Sequence, residues 1–307
     1  MTQTLYHSSN SPYGKYIKKE SDCFYQASLQ LQENKHLMSW LLFAFWQGLT
    51  PSKFFNNPEG PLKLIKTWKS AIFFSQPFDS EFSVSQNAWL DLKHKFNEYS
   101  KTLLLDYFNS LESSIGTIRF PEQKDLEFYL RKFGGSQALI IASILFEEEI
   151  NDGDNDVIEA VKYLGMGMLW WNLLKHSSSL TEQGKLFIPL EDLKKFNCTE
   201  EDLLTNHVSK NIKDLTRYEF NKVEELMSLA RRALSPNASG VMSTNNISYP
   251  KGLKEAITFL SNHFVEEMNS AWRSGWLLSS AALPAPKQAK SNWFIGGVVK
   301  LPGGIRK

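Results

Sequence analysis

Cysteine is nearly absent: the 307 residues hold 2, Cys23 and Cys198. No disulfide or metal spacing relates them, which excludes a disulfide scaffold and a cysteine-ligated metal centre and fits a reducing, cytoplasmic compartment. An excess of charge is missing too. Lys plus Arg number 34 against 33 Asp plus Glu, and no basic stripe stands out, so nothing points to a nucleic-acid partner. No apolar run reaches the roughly 20 residues a membrane-spanning helix requires. The longest, around Leu37 to Leu49 and Ala138 to Phe146, read as core helices and leave only a peripheral membrane contact open. The N-terminal stretch MTQTLYHSSNSPYGKYIKKE has no apolar segment behind its charges, so no signal peptide is expected. The Asn-x-Ser/Thr triplets at Asn197, Asn237 and Asn246 then have no use as glycosylation sites. Alternating strand patterns and internal repeats are lacking as well.

What is present is apolar material at helical spacing. With 42% hydrophobic and 13% aromatic residues the chain is globular, long enough to bury a substantial core. Residues 1–20 read as a loose polar arm. Ser21 and Asp22 offer an N-cap for a helix carrying Phe24, Ala27 and Leu31. A second helix from Lys35 carries Trp40, Leu41, Ala44 and Phe45 and stops near Gly48 and Pro51. An amphipathic segment spans Leu62 to Phe74, and one long helix is expected from Gln86 to Leu111. Ser113 to Pro121 reads as a turn, and a helix restarts at Glu122 and runs through Ile141. Asp152, Asp154 and Asp156 invite a calcium-loop reading, but Val157 and Tyr163 stand where that loop needs glycine and glutamate. A solvated acidic connection is the simpler account. Later helices are expected from Thr199, over Ile212 to Leu234, and over Leu253 to Leu278. The expected organisation is an all-α single domain over 21–282, with a flexible loop at 235–250 and an irregular tail at 283–307.

The chain is organised around Ala160 to Leu193, AVKYLGMGMLWWNLLKHSSSLTEQGKLFIPLEDL. It reads as a long apolar helix, a polar turn with Gly184, and a segment closed by Pro189 before a helix start at Glu191 and Asp192. Its spacing resembles the second signature of the squalene/phytoene synthase family of head-to-head prenyl transferases, L-G-x-A-x-Q-x-x-N-I-x-R-D-x-x-x-D-x-x-x-G-R-x-Y-L-P. Leu164, Gly165, Asn172, Gly184 and Pro189 fall in register. The two aspartates are replaced by His176 and Leu180, the glutamine by Leu169 and the arginine by Lys175. The first signature, Y-A-F-x-R-x-x-D-D-x-x-D, falls on Phe43, Ala44, Phe45, Gln47, Thr50, Pro51 and Phe54, and its aspartates are gone too. Trp68 matches a tryptophan of the family, Tyr129 a tyrosine, and Cys23-Phe24 stands near its serine–phenylalanine pair.

The resemblance implies an isoprenoid-synthase-like helical bundle around a central apolar cavity. It places Phe24, Phe43, Gln47, Tyr129, Phe133, Gln137, Leu164, Met168, Leu169, Asn172, His176 and Leu180 at the ligand pocket. In the family, facing D-x-x-x-D pairs hold magnesium ions that bind the substrate diphosphate and neutralise it as it departs. Thr50, Phe54, His176 and Leu180 offer no carboxylate, so no metal site and no cofactor is expected. Lys175 and Lys185, in register with family arginines, are candidate anion ligands without the arginine fork. His176 admits two readings, a general acid or base and a histidine hydrogen-bonded at a helix end. Ser177, Ser178 and Ser179 read as a cap or turn. The expected function is that of a catalytically degenerate relative binding an isoprenoid or other long apolar molecule, a protein partner, or both. Family members without the aspartates help assemble respiratory complexes without catalysis, which implies the partner role by analogy. The alternative is a metal-independent transferase or cyclase in the same cavity with His176 as acid or base.

Overall fold

The computed structural model describes residues 11–49, 60–78, 83–146, 155–205, 208–235 and 250–279, and these are overwhelmingly helical. Thr50, Pro51 and Phe54, most of the acidic connection, the interior of the loop at 235–250 and the tail at 283–307 lie outside them. Residues 12–20, expected as part of a loose arm, instead form helix α1 (Pro12–Glu20). Ser11 accepts a hydrogen bond from the Gly14 N–H at 2.9 Å, and Pro12 occupies a position where its missing N–H costs nothing. The stretch looks polar but buries Ile17 and seats Gly14 so close to Trp40 that a Cβ there would lie 3.0 Å from the indole. Ser21 caps α2 (Asp22–Ser28) as its sequence position indicated. Helix α3 (Glu33–Gly48) buries every residue from Ser39 to Trp46.

Helix α4 (Pro61–Phe73) is followed by a break in the long helix expected from Gln86 to Leu111. Helix α5 (Val84–Leu92) ends in a single 3-10 turn at Lys93–Lys95, and Asn97 caps α6 (Glu98–Ser113) by accepting from Ser100 N–H at 2.9 Å. Lys-His-Lys offers no apolar side chain to bury, and a capping asparagine starts a new helix more readily than it continues an old one. The stretch expected as a turn carries strand β1 (Ile118–Arg119). Helix α7 (Gln123–Leu130) runs through one widened π-helical turn, Arg131–Gly135, into α8 (Ser136–Leu145). Next come α9 (Asn155–Lys175), α10 (Ser177–Glu182), and strand β2 (Lys185–Leu186), which pairs in parallel with β1. Helices α11 (Leu190–Lys195), α12 (Glu200–Leu204), α13 (Lys210–Ala233) and α14 (Leu253–Arg273) complete the order. Helix α14 stops short of Leu278 because Gly275 turns the chain at a φ of +80°.

Helix α9 is the axis of the bundle, packed by α13, the π-turn, α8 and α14. A Cβ on Gly134 of the π-turn would lie 2.5 Å from the Gly165 carbonyl oxygen of α9, so two backbones touch where side chains would normally separate them. On another side of α9, Gly167 faces the Met227 methyl of α13 at 3.0 Å from where a Cβ would stand. Gly165→Ala should therefore lower stability by about 1–3 kcal/mol through overpacking against backbone that cannot yield, read as a drop in the urea midpoint. A variant as stable as the parent would show that the two helices separate freely.

A buried polar cluster ties α7, α11 and α13 together. Lys222 Nζ donates to Gln123 Oε1 at 2.7 Å, and lies 2.5 Å from Asp192 but 3.2 Å from Glu219. Asp192 thus takes most of the ammonium's charge. Burial pushes the Glu219 carboxyl up to about 8 against the opposing pull of Lys222, and its Oε2 has no partner. The folded state then keeps a proton that the unfolded chain releases near the ordinary value of 4.5. That stabilising contribution is complete below the unfolded value and is lost as pH rises through the folded one. Unfolding free energy should fall by up to about 1.4 kcal/mol per unit over pH ~6–8, and Glu219→Gln should flatten that fall. An unchanged slope in the variant would assign the effect to another group.

Candidate functional site

Helices α2, α3, α8, α9 and α14 enclose an apolar cavity of about 80 Å³. Of the pocket residues expected from sequence, Phe24, Leu164 and Met168 line it, joined by Leu31, Ile141, Phe146, Ile257 and Leu260. Leu164 and Met168 are one turn apart on α9, as are Ile257 and Leu260 on α14, so each helix turns one continuous stripe to the same space. An 80 Å³ cavity is about half the size of one that admits benzene, so it fits a chain end better than a ring.

The other expected pocket residues are not in the lining of this cavity. Phe43 is fully buried against the Phe24 ring, with centroids 4.9 Å apart. Phe133 is sandwiched between Tyr107 and Tyr129 at 4.6 and 5.6 Å, a stacked row that Tyr129 extends to Phe187. The Tyr129 hydroxyl is hydrogen-bonded to Ser114 Oγ at 2.9 Å, and burial pushes its pKa up to about 12. Gln137 and Leu169 are buried core residues of α8 and α9. Asn172 is spent within α9, its Nδ2 donating to Met168 O at 3.1 Å. Gln47 is partly exposed in the last turn of α3, and Leu180 is partly buried on α10, packed against the core.

The polar end of the α9 stripe is Lys175, two turns beyond Met168. Its ammonium meets Glu267 of α14 at 3.1 Å, with both side chains largely buried. The indole N–H of Trp171 donates to the other Glu267 oxygen at 3.0 Å, and the Lys175 ammonium lies 5.4 Å from that ring. His176, just past the helix end, accepts at its backbone oxygen from Leu180 N–H and Ser179 Oγ–H. Its ring Nδ1 is buried with no hydrogen-bond partner. Burial, helped by the Lys175 charge, lowers its pKa to about 4 against the pull of Glu267, so the imidazole is neutral near pH 7. His263, four residues before Glu267, has a buried, unpartnered Nε2 and a pKa lowered chiefly by burial. The Cys23 thiol is pushed upward by burial and by Glu267 and Asp22, which keeps it protonated. Lys185 does not join this group. It is buried beside the aromatic row, donates to Ser114 O at 2.9 Å, and is lowered by burial to about 8. Ser177, Ser178 and Ser179 open α10, and Ser177 Oγ donates to Leu278 O at 2.6 Å.

Among the described residues no three His, Cys, Asp or Glu side chains group closely enough to hold a metal ion. The ammonium, imidazole and alkyl group at Lys175, His176 and Leu180 are not the oxygen donors magnesium takes, and among the described residues a carboxylate beside them, Glu267, is engaged by Lys175 and Trp171. Magnesium does not fit this donor set.

The family model for squalene/phytoene synthases matches residues 17–242. The chain belongs to the squalene/phytoene synthase family. It is 24% identical over 123 residues to a 15-cis-phytoene synthase of Synechocystis sp., covering 38% of this chain and 36% of that one. It is 29% identical over 72 residues to a phytoene synthase of Arthrospira platensis, covering 24% and 23%. Those alignments span about a third or less of the relatives' own length. Solved structures extend the fold further. A dehydrosqualene synthase in complex with ligand superposes with a TM-score of 0.66 at 16% identity, over 95% of both chains. The squalene synthase HpnC from Alicyclobacillus acidocaldarius gives 0.65 at 12%, over 86% of this chain and 92% of that one. The architecture is thus the all-α isoprenoid-synthase fold, as the two signatures implied. Among the described residues no helix is long and apolar enough to cross a membrane.

Within this member of the squalene/phytoene synthase family, sequence reasoning missed Glu267 and His263, because the resemblance fades before α14. A signal was there: Glu267 stands two turns after Leu260, beside the buried stripe of Leu253, Ile257, Phe264 and Met268. Lys175→Met should cost about 3–5 kcal/mol, since it strands a buried carboxylate. Lys175→Met with Glu267→Leu should recover most of that loss in a double-mutant cycle read by urea denaturation. Additive losses would mean the two side chains do not depend on each other.

Proposed function

We propose that this family member binds a neutral, apolar chain molecule and does not ionise a diphosphate. The observation that carries the reading is the Lys175–Glu267 pair: the ammonium in register with a family arginine is neutralised from within the protein. A diphosphate entering here would have to displace Glu267 and would find a neutral imidazole at His176 and an alkyl chain at Leu180 in place of metal ligands. Apolar lining at Phe24, Leu164, Met168 and Leu260 supports a hydrocarbon guest. No metal or other cofactor enters this reading. An isoprenoid is the guest the family relationship favours.

A second reading keeps catalysis: a metal-independent transferase or cyclase with His176 as acid or base. It is supported by the ring's unengaged Nδ1, neutral near pH 7, although a pKa lowered to about 4 makes it a weak base there.

Calorimetric titration with farnesol and with farnesyl diphosphate, each with and without Mg²⁺, tests the first reading. Farnesol should bind with an affinity indifferent to the metal, and the diphosphate more weakly. Tight diphosphate binding that depends on Mg²⁺ would overturn it. Product formation from a bound isoprenoid that His176→Ala abolishes, with ligand affinity kept, would favour the second.

A further inference from the structure

The apolar cavity and the Lys175–Glu267 pair lie on the same two helices in the same order. Met168 is followed seven residues later by Lys175 on α9, and Leu260 seven residues later by Glu267 on α14, an offset of roughly 10 Å along each helix. Two polar atoms flank that pair without a partner of their own, His176 Nδ1 and His263 Nε2. His176 adjoins Lys175 in sequence, and His263 is one turn before Glu267. Both rings feel the charges of Lys175 and Glu267, and His263 also that of the exposed Asp22. Buried groups left without a hydrogen bond cost about 1–3 kcal/mol each, and native proteins keep few of them. Other buried orphans among the described residues include Trp46 Nε1, Trp276 Nε1 on a ring packed against Trp171, and Glu219 Oε2 beside the Lys222–Asp192 pair; the two imidazoles differ from these in being two rings that feel one buried ion pair.

We infer that His176 and His263 form the head-group end of the cavity and bind a neutral hydroxyl or carbonyl carried on an apolar chain. The inference rests on the reading above that the cavity holds an apolar guest, and it names the chemistry of the guest's polar end. Lys175 and Glu267 cancel each other, and the Cys23 thiol is uncharged, so the site offers hydrogen bonds without net charge. Each neutral imidazole nitrogen is a donor or an acceptor according to its tautomer, and a hydroxyl can answer either. A diphosphate, an acceptor only, would meet the Glu267 carboxylate and a Lys175 ammonium already paired with it.

The test is a tryptophan-fluorescence titration of the full chain with farnesol and with the matched hydrocarbon farnesene, using the parent, His176→Leu and His263→Leu. Farnesol should bind about three- to tenfold tighter per imidazole engaged, and each variant should lose its share of that preference while keeping the farnesene affinity. Equal affinities for the two ligands in the parent, or a preference that survives in both variants, overturns the head-group assignment and leaves the cavity reading standing. No binding of either ligand removes both. Should a variant fail to fold, histidine-labelled parent protein decides by NMR: farnesol should shift two imidazole ¹⁵N resonances that farnesene leaves in place, and shifts common to both ligands, or to neither, refute the assignment.

Discussion

Helix α9 is apolar around its whole circumference from Val161 to Leu174, apart from Lys162, Tyr163 and Asn172, and the rest of the bundle keeps water from it. Two glycines make that possible on opposite sides. At Gly165 the helix touches the backbone of the π-turn, and at Gly167 it receives the Met227 side chain of α13. Such contacts leave no slack, because interiors are packed as densely as molecular crystals and transmit a local shift instead of absorbing it. The π-turn at Arg131–Gly135 has the same origin: one extra residue in a turn, with paired glycines, lets α7 and α8 follow α9 closely.

An apolar helix must still end, and its end is where chemistry gathers. The last turn of α9 carries negative partial charge from its free carbonyls, which favours a cation at Lys175. Burying that cation calls for a counter-charge, and α14 supplies Glu267. The Trp171 indole then completes the carboxylate's hydrogen bonding, as a buried ion pair needs if its desolvation is to be offset. The environment of His176 follows from this arrangement: it sits beside a cation and away from water, so its proton is held weakly.

Much of this was legible in the chain. The helical period of α9, the cap at Ser21 and the cap at Thr199 ahead of Glu200 follow from local rules that tertiary contacts did not override, while the register of Gly165, Asn172, Gly184 and Pro189 came from the family resemblance. What escaped was non-local. The helix at 12–20 depends on Trp40, far along the chain; the β1–β2 bridge joins Ile118 to Lys185; and the partner of Lys175 lies 92 residues away on a helix without recognisable family pattern. The cavity is hard to read from sequence for a related reason. Phe43, Phe133 and Leu169 match ligand-facing positions, yet here their side chains are fully buried among one another's neighbours, and spacing alone cannot tell a lined cavity from a filled core.

Filled space and unfilled hydrogen bonds bear on stability in opposite directions. Where the aromatic row of Tyr107, Phe133 and Tyr129 stacks, the fold gains stability. Where the two imidazole nitrogens go unpaired, it gives up stability. With a net stability of about 5–15 kcal/mol for a typical domain, two such nitrogens at about 1–3 kcal/mol each are a sizeable concession. It is one that substitution could have removed: leucine at either position has no polar atom to leave unpaired, as at partly buried Leu180, the neighbouring aspartate position of the same signature. The chain uses an alkyl group at one former aspartate and an imidazole at the other. That difference places, within about one helical turn, a side chain with no hydrogen bond to make beside one whose buried Nδ1 has none made.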